Sequence, residues 1–188
     1  MNQIEKAVEI LKIGGIVAYP TETVYGLGSD IFNEQAIRRV FEVKLRSLNK
    51  PLSIAISNFS MLERLAYLLK EQRKIIRKLL PGPITIILPK KDIVSDLITS
   101  NQEKVAIRFP ENNIAQKLIE KTGPITATSA NFSGEKEVVK PEDITLNVDF
   151  IIYGECKYKQ PSTILDLTNM RILREGAGIE KVKEVLNF

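Results

Sequence analysis

Lys44 and Arg46, in KLRSLNKPL, set an ammonium and a guanidinium two residues apart. Two cations this close need an anion to offset their repulsion, and the arginine fork matches a carboxylate or a phosphate. Lys44 also falls seven residues after Ile37, on the helical stripe of Val40 and Phe41, so it must snorkel outward or reach a buried anion. The plain alternative is a cationic helix C-terminus with no ligand, favoured by the helix dipole. Downstream, TSANFSG (128–134) offers the Ser129 hydroxyl and the Asn131 amide after a strand, with Gly134 allowing close backbone approach. Serine and asparagine are equally ordinary in turns. The third concentration of polar groups is PTETVYGLG (20–28), where the apolar IVAY runs straight into threonines, a glutamate and a tyrosine.

What could activate those hydroxyls is narrowly limited. The chain has no histidine, which excludes Ser-His-Asp and Cys-His catalysis and imidazole zinc sites. Its one cysteine, Cys156, excludes an intrachain disulfide and reads as an inert small residue. Chemistry therefore falls to Lys, Arg, hydroxyls, amides, carboxylates and backbone. Lys plus Arg exceed Asp plus Glu by 27 to 23, a net charge of +4 that suits a phosphate-rich ligand or RNA and demands neither. The basic KEQRKIIRK (70–78) reads as the solvated face of a helix.

The elements that must position these groups are short. With 188 residues, 44% hydrophobic and 27% charged, the chain is expected to form one globular domain over 1–188. No apolar run approaches the ~20 residues of a membrane span, and the amphipathic start is no signal peptide, so a cytoplasmic location is expected. Ile4, Ala7, Val8 and Leu11 follow helical spacing up to Gly14-Gly15. Asn33 can cap a second helix, and a Ser60/Glu63 capping box is expected to open a long helical stretch ending at PGP (81–83). IVAY, PLSIAI, ITIIL, VAIRF, PITAT, DFIIY, STILDL and RILR read as strands, with helices at NIAQKLIEKTG and GIEKVKEVL. This predicts an α/β fold, a mixed sheet flanked by helices. Thr21, Arg108, Thr128, Ser129 and Arg174 each follow a strand, where open α/β sheets bind ligands. GLGSD is no dinucleotide fingerprint and no GxxxxGK[ST] is present.

Taken in order, GGIVAYPTETVYGLGSD, KLRSLNKPL, PGPITIIL, VAIRFP, TSANFSG, PSTILDLT and ILREGAG resemble the threonylcarbamoyl-AMP synthase (YrdC-like) family across residues 14–178. The resemblance implies a single-domain twisted mixed α/β sheet around a basic cavity. It implies condensation of L-threonine, bicarbonate or CO2 and ATP, with Mg2+, into threonylcarbamoyl-AMP and pyrophosphate. Partner proteins of tRNA modification would then pass the threonylcarbamoyl group to adenosine 37 of tRNA. Binding of double-stranded RNA is also attributed to the family.

Carried over residue by residue, the family's KxR and SxN places fall on Lys44, Arg46, Ser129 and Asn131, implying contacts to ATP phosphates and adenylate. Leu48 would contact nucleotide by its backbone, and Arg174 would lie near it. Thr21, Arg108, Ala127 and Ser162 would surround the amino acid, with Arg108 on its carboxylate and the PTET hydroxyls recognising its side chain. No metal ligand set is implied. Many members read PLIVH where this chain has PLSIA, so a histidine place is filled by Ala55. The chain stops at Phe188, like the short form of the family. Two other readings stand beside this one: a double-stranded RNA-binding module without catalysis, and a related enzyme consuming carbamoyl phosphate. The 6% aromatic content argues against base stacking as the main mode of the first.

Overall fold

A computed structural model describes residues 2–187. Its strands, in chain order, are β1 (Val17–Tyr19), β2 (Gly26–Gly28), β3 (Ser53–Ala55), β4 (Ile84–Pro89), β5 (Lys104–Arg108), β6 (Ile125–Thr126), β7 (Thr128–Ser129), β8 (Phe150–Ile151), β9 (Thr163–Asp166) and β10 (Arg171–Arg174). The helices are α1 (Gln3–Lys12), α2 (Glu34–Val43), α3 (Phe59–Leu65), α4 (Lys70–Leu79), α5 (Asp96–Thr99), α6 (Asn113–Thr122) and α7 (Ile179–Leu186). The α/β class and mixed pairing are as expected, but the strands form two sheets, not one. One has the order β7-β2-β1-β8, the other β10-β9-β4-β5-β3-β6.

The two sheets meet at a single stretch of chain. In β6, Ile125 and Thr126 pair with β3, and two residues later Thr128 and Ser129 of β7 pair with β2. Between them the Ala127 amide donates to the Ser53 carbonyl at 2.8 Å, and the Thr126 amide donates to that of Ser29 at 2.9 Å. Residues 125–129 thus stitch one sheet to the other. β2 itself lies inside the PTETVYGLG motif, whose Gly26 and Gly28 leave room for the Tyr19 ring: a Cβ at either would approach that ring to about 3 Å or less. These glycines serve packing across a strand pair.

Most helix ends follow from their caps. The Asn2 and Asn33 side chains accept from the third residue onward, opening α1 and α2. Ala7, Val8 and Leu11 are buried from the first, and Ile37, Val40 and Phe41 from the second, as their spacing requires. The region after β3 departs from expectation. Asn58, not Ser60, caps α3, its Oδ1 accepting from the Met61 amide at 2.9 Å. The long helix is broken at 66–69, because Ala66 bridges to Lys90 and the Tyr67 amide donates to the carbonyl of Pro89, the last residue of β4. The Gln72 side chain, reaching back to the Leu69 amide, restarts the helix as α4. Within α4 the charged residues are exposed or half-buried, while Gln72, Ile76 and Leu79 turn inward.

The largest core lies against the six-stranded sheet and includes Ile54, Ile86, Ile107 and Leu165 with Ile76 and Leu79. A second cluster packs α1 and α6 against β1, with Ala55 inside it. Ala55 is fully buried and pairs in register with Arg108. At this place, then, a small apolar residue fills core beside the strand that carries the arginine. No helix among the described residues is long and apolar enough to cross a membrane.

Candidate functional site

A cavity of about 430 Å³ opens between the two sheets, in the size range of small-ligand sites. Seven of the ten site residues expected from sequence line it: Thr21, Arg46, Arg108, Ala127, Ser129, Ser162 and Arg174. Their strand-end positions explain the convergence. Thr21 follows β1, Arg108 ends β5, Ser129 ends β7, Arg174 ends β10, and Ala127 is the stitch between sheets. Arg46, Lys50, Arg108 and Arg174 bring four cations to the wall, and Glu137 is the one carboxylate among the described lining residues.

Lys44 lies beneath the wall, 1% exposed, at the C-terminal end of α2. Its Nζ donates to the carbonyls of Ser129 and Asn131, and the Ser133 amide returns a bond to the Lys44 carbonyl at 2.9 Å. The KxR and SxN motifs are therefore one unit, with the ammonium pinning the loop backbone from below. Burial, and secondarily the Arg46 guanidinium, pull the Lys44 ammonium down to about 8, against a weaker opposing pull from Glu137. Arg46 itself is held by the Lys50 and Pro51 carbonyls at 3.0 and 2.9 Å, and burial lowers its pKa too.

Asn131 is buried behind the wall. Its amide donates to the Phe132 and Glu135 carbonyls, both at 2.9 Å, leaving Oδ1 buried without a partner. It shapes the loop that carries Glu137. Leu48 is not at the cavity; it is half-exposed on a second, open hollow with Phe32 and Ile93. The two hollows share Asn49 as a lining residue.

At the other end the PTET hydroxyls are engaged internally. Thr21 Oγ1 donates to the Val24 carbonyl at 2.7 Å and accepts from the Thr23 amide at 3.1 Å, with the Thr23 hydroxyl 2.9 Å away. This is a hydroxyl-closed turn, and it sets the Thr23 hydroxyl toward Arg108, whose Nη1 donates to it at 3.3 Å. Arg108 Nη2 donates to Glu22 Oε1 at 2.8 Å, in an ion pair whose side chains are 8% and 2% exposed. Ser162, 4% exposed, shares a 2.8 Å hydrogen bond with Thr85 and receives Arg174 Nη2 at 3.2 Å. Burial, opposed by Glu137 and assisted weakly by Arg108, lowers the Arg174 pKa.

Glu22, Thr85, Lys50 and Glu137 are the residues that sequence reasoning passed over, and Thr23 entered only as one of the PTET hydroxyls. Glu22 and Thr23 were within its reach, since they stand inside the quoted motif. A carboxylate three residues past a buried strand that ends in tyrosine has to find a cation when it too is buried. Lys50 and Thr85 also stand inside quoted stretches, KLRSLNKPL and PGPITIIL, but as one more lysine and one more strand threonine they are not singled out, and Glu137 lies in none of the quoted stretches.

Comparison with known proteins agrees with the geometry. A family model for Sua5/YciO/YrdC, described as telomere recombination, matches residues 9–176. The threonylcarbamoyl-AMP synthase of Pyrococcus abyssi is 39% identical over 98% of this chain, which spans 57% of that longer protein. That of Vibrio vulnificus is 35% identical over 94% of this chain and all of its own length. The crystal structure of P. abyssi Sua5 complexed with L-threonine superposes with a TM-score of 0.90 at 39% identity, over 97% of this chain and 56% of the other. The chain belongs to the Sua5/YciO/YrdC family.

Proposed function

We propose that the protein is a threonylcarbamoyl-AMP synthase, a nucleotidyltransferase that joins L-threonine, bicarbonate or CO2, and ATP, releasing pyrophosphate. The observation that carries this reading is one cavity with two unlike ends, in a chain whose relatives bear that name. Arg46 and Lys50, above the buried Lys44, form an end suited to a polyphosphate. Arg108, the Thr23 hydroxyl, Ser162 and the Ala127 backbone form an end suited to a small hydroxy amino acid. A site that hydrogen-bonds a substrate hydroxyl strongly rejects the analogue lacking it. Because Thr21 Oγ1 is spent on its own turn, the hydroxyl contact falls to its neighbours, and Thr21 shapes the floor.

The chemistry needs no histidine. The threonine ammonium gives up one proton to solvent to become an amine, whose nitrogen bonds to the carbon of CO2 and then loses a second proton to solvent, giving a carbamate. A carbamate oxygen then bonds to the α-phosphorus while the bond from that phosphorus to the bridging oxygen breaks, and pyrophosphate departs. Such transfer is governed by positioning and charge stabilisation. Lys44, Arg46 and Lys50 place positive charge at the phosphate end.

A Mg2+ accompanying ATP fits the site in one way. Among the described residues no group of three or more His, Cys, Asp or Glu could hold a metal, so the ion would be carried mainly by the phosphates. Glu137, which accepts no hydrogen bond from any described residue, is the carboxylate on the wall that would hold it. Bound there, the ion supplies charge neutralisation.

The product would pass to proteins that transfer the threonylcarbamoyl group to tRNA, in the cytoplasm. An RNA-gripping role fits less well, because the cations face into a cavity of about 430 Å³ that no duplex enters. Incubation with ATP, magnesium, bicarbonate and L-threonine is expected to release pyrophosphate only when threonine is present. Threonine-independent release, or none from folded protein, would overturn the reading.

A further inference from the structure

Glu22 has no part in the reading above, yet it is the most buried carboxylate beside the cavity, at 2% exposure. It meets Arg108 at 2.8 Å, while Glu22 Oε2 and Arg108 Nε both lack a hydrogen-bond partner. A buried ion pair with unsatisfied atoms contributes little to stability, because desolvation offsets the attraction. Its effect on the cavity is larger. Of the four cations on the wall, Arg108 alone among the described residues has a carboxylate partner within ion-pair distance. Arg46 is held by neutral backbone carbonyls, Arg174 by the carbonyl and hydroxyl of Ser162, and Lys44 below them by carbonyls as well. Carbonyl dipoles orient a cation without cancelling its charge. Glu22 therefore cancels the charge of Arg108, while Arg46, Lys50 and Arg174 keep theirs.

We propose that Glu22 is a positioning residue that sets specificity at the Arg108 end, by orienting that guanidinium and cancelling its net charge. An Arg108 so paired still offers directed N–H groups to the carboxylate of a zwitterion, which is itself neutral overall. It no longer draws a polyphosphate, whose binding depends on net positive charge. Glu22 thereby keeps the polyanion at the Arg46 end and reserves the other end for the amino acid. This inference rests on the amino-acid and nucleotide reading of the two ends.

The test is calorimetric titration of L-threonine into wild-type and Glu22→Gln protein, each with and without saturating inorganic pyrophosphate. In the wild type, pyrophosphate is expected to leave threonine affinity unchanged within about twofold. In Glu22→Gln, threonine is expected to bind about tenfold more weakly. The freed charge on Arg108 is also expected to make pyrophosphate compete with threonine, a gain that loss of packing alone would not produce. Glu22→Asp, which keeps the charge, should restore independence of the two ligands. Unchanged threonine binding in Glu22→Gln, or weakened binding without competition, would overturn the proposal while leaving the functional reading intact. Should Glu22→Gln not fold, the wild type decides alone: displacement of threonine by pyrophosphate there would overturn the proposal. Wild-type protein that binds no threonine would overturn the functional reading and the proposal with it.

Discussion

Lys44 and Arg108 are both buried cations beside the same cavity, and the fold satisfies them in opposite ways. Lys44 is held by two backbone carbonyls from one loop, and Arg108 by a carboxylate and a hydroxyl from the PTET turn. Carbonyls leave the charge of Lys44 uncancelled, to act on an anion above it. The Glu22 carboxylate cancels that of Arg108 and leaves its hydrogen-bonding geometry. One cavity can thereby hold a highly charged ligand next to a neutral one. The contrast also predicts that the two residues fail differently when replaced.

Replacing Arg108 is expected to have the larger effect on stability. Arg108→Gln leaves the Glu22 carboxylate buried and unpaired, a loss of about 3–5 kcal/mol. Chemical denaturation would measure it, and Glu22→Gln in the same chain should return most of the loss. If the single variant were as stable as wild type, the ion pair would not be a buried one in solution. Lys44→Met should show the reverse balance. It orphans two carbonyls but removes a buried ammonium, so its melting temperature should lie within a few degrees of wild type. Turnover should fall at least about a hundredfold, as for other groups that stabilise charge in a reaction. Retained turnover in the folded variant would remove Lys44 from the mechanism.

A smaller effect separates Lys44 from its surroundings by pH. Its folded value, near 8, lies below its ordinary 10.5. Below about pH 8 both folded and unfolded chains hold the proton, and the cost of the buried ammonium is fully present. Between about 8 and 10.5 the unfolded chain alone holds it, so the Lys44 contribution to stability rises with pH. Over the same rise nucleotide affinity should fall, as the ammonium loses its charge. Cys156 works oppositely, since burial pushes its thiol up to about 11 and stability drops as pH climbs from 9. The difference between wild-type and Lys44→Met stability curves isolates the lysine, and a flat difference across this range would refute the assignment. The smallest expected effect is at Cys156 itself. Buried and protonated at pH 8, it should resist alkylation in native protein, and rapid labelling by iodoacetamide would contradict that burial.

Sequence periodicity made most of this fold legible, because each strand and helix is short and closed by its own turn or cap. Asn33, the Ile37–Val40–Phe41 stripe and the eight β-branched runs needed only local rules. The split of the long helix at 66–69 did not show, since its cause is pairing with residues near 90. The division into two sheets was hidden for the same reason: it depends on residues 125–129 changing partners within one short run. In the site, the apolar stripe left Lys44 either snorkelling to solvent or reaching a buried anion, and the structure instead buries it on two carbonyls. Those partners were not legible, because they are backbone atoms 85 and 87 residues away. The PTET hydroxyls invited a direct substrate role, and the structure gives Thr21 to its own turn. Glu22, standing between them, went unweighed for want of a visible partner; Arg108 lies 86 residues further on.

The most direct test of the whole account is mass spectrometry of the nucleotide formed from ATP, L-threonine and 13C-labelled bicarbonate. The account predicts threonylcarbamoyl-AMP carrying one added mass unit, absent when threonine is omitted. Unlabelled product, product formed only from carbamoyl phosphate, or no adenylate from folded protein would contradict it.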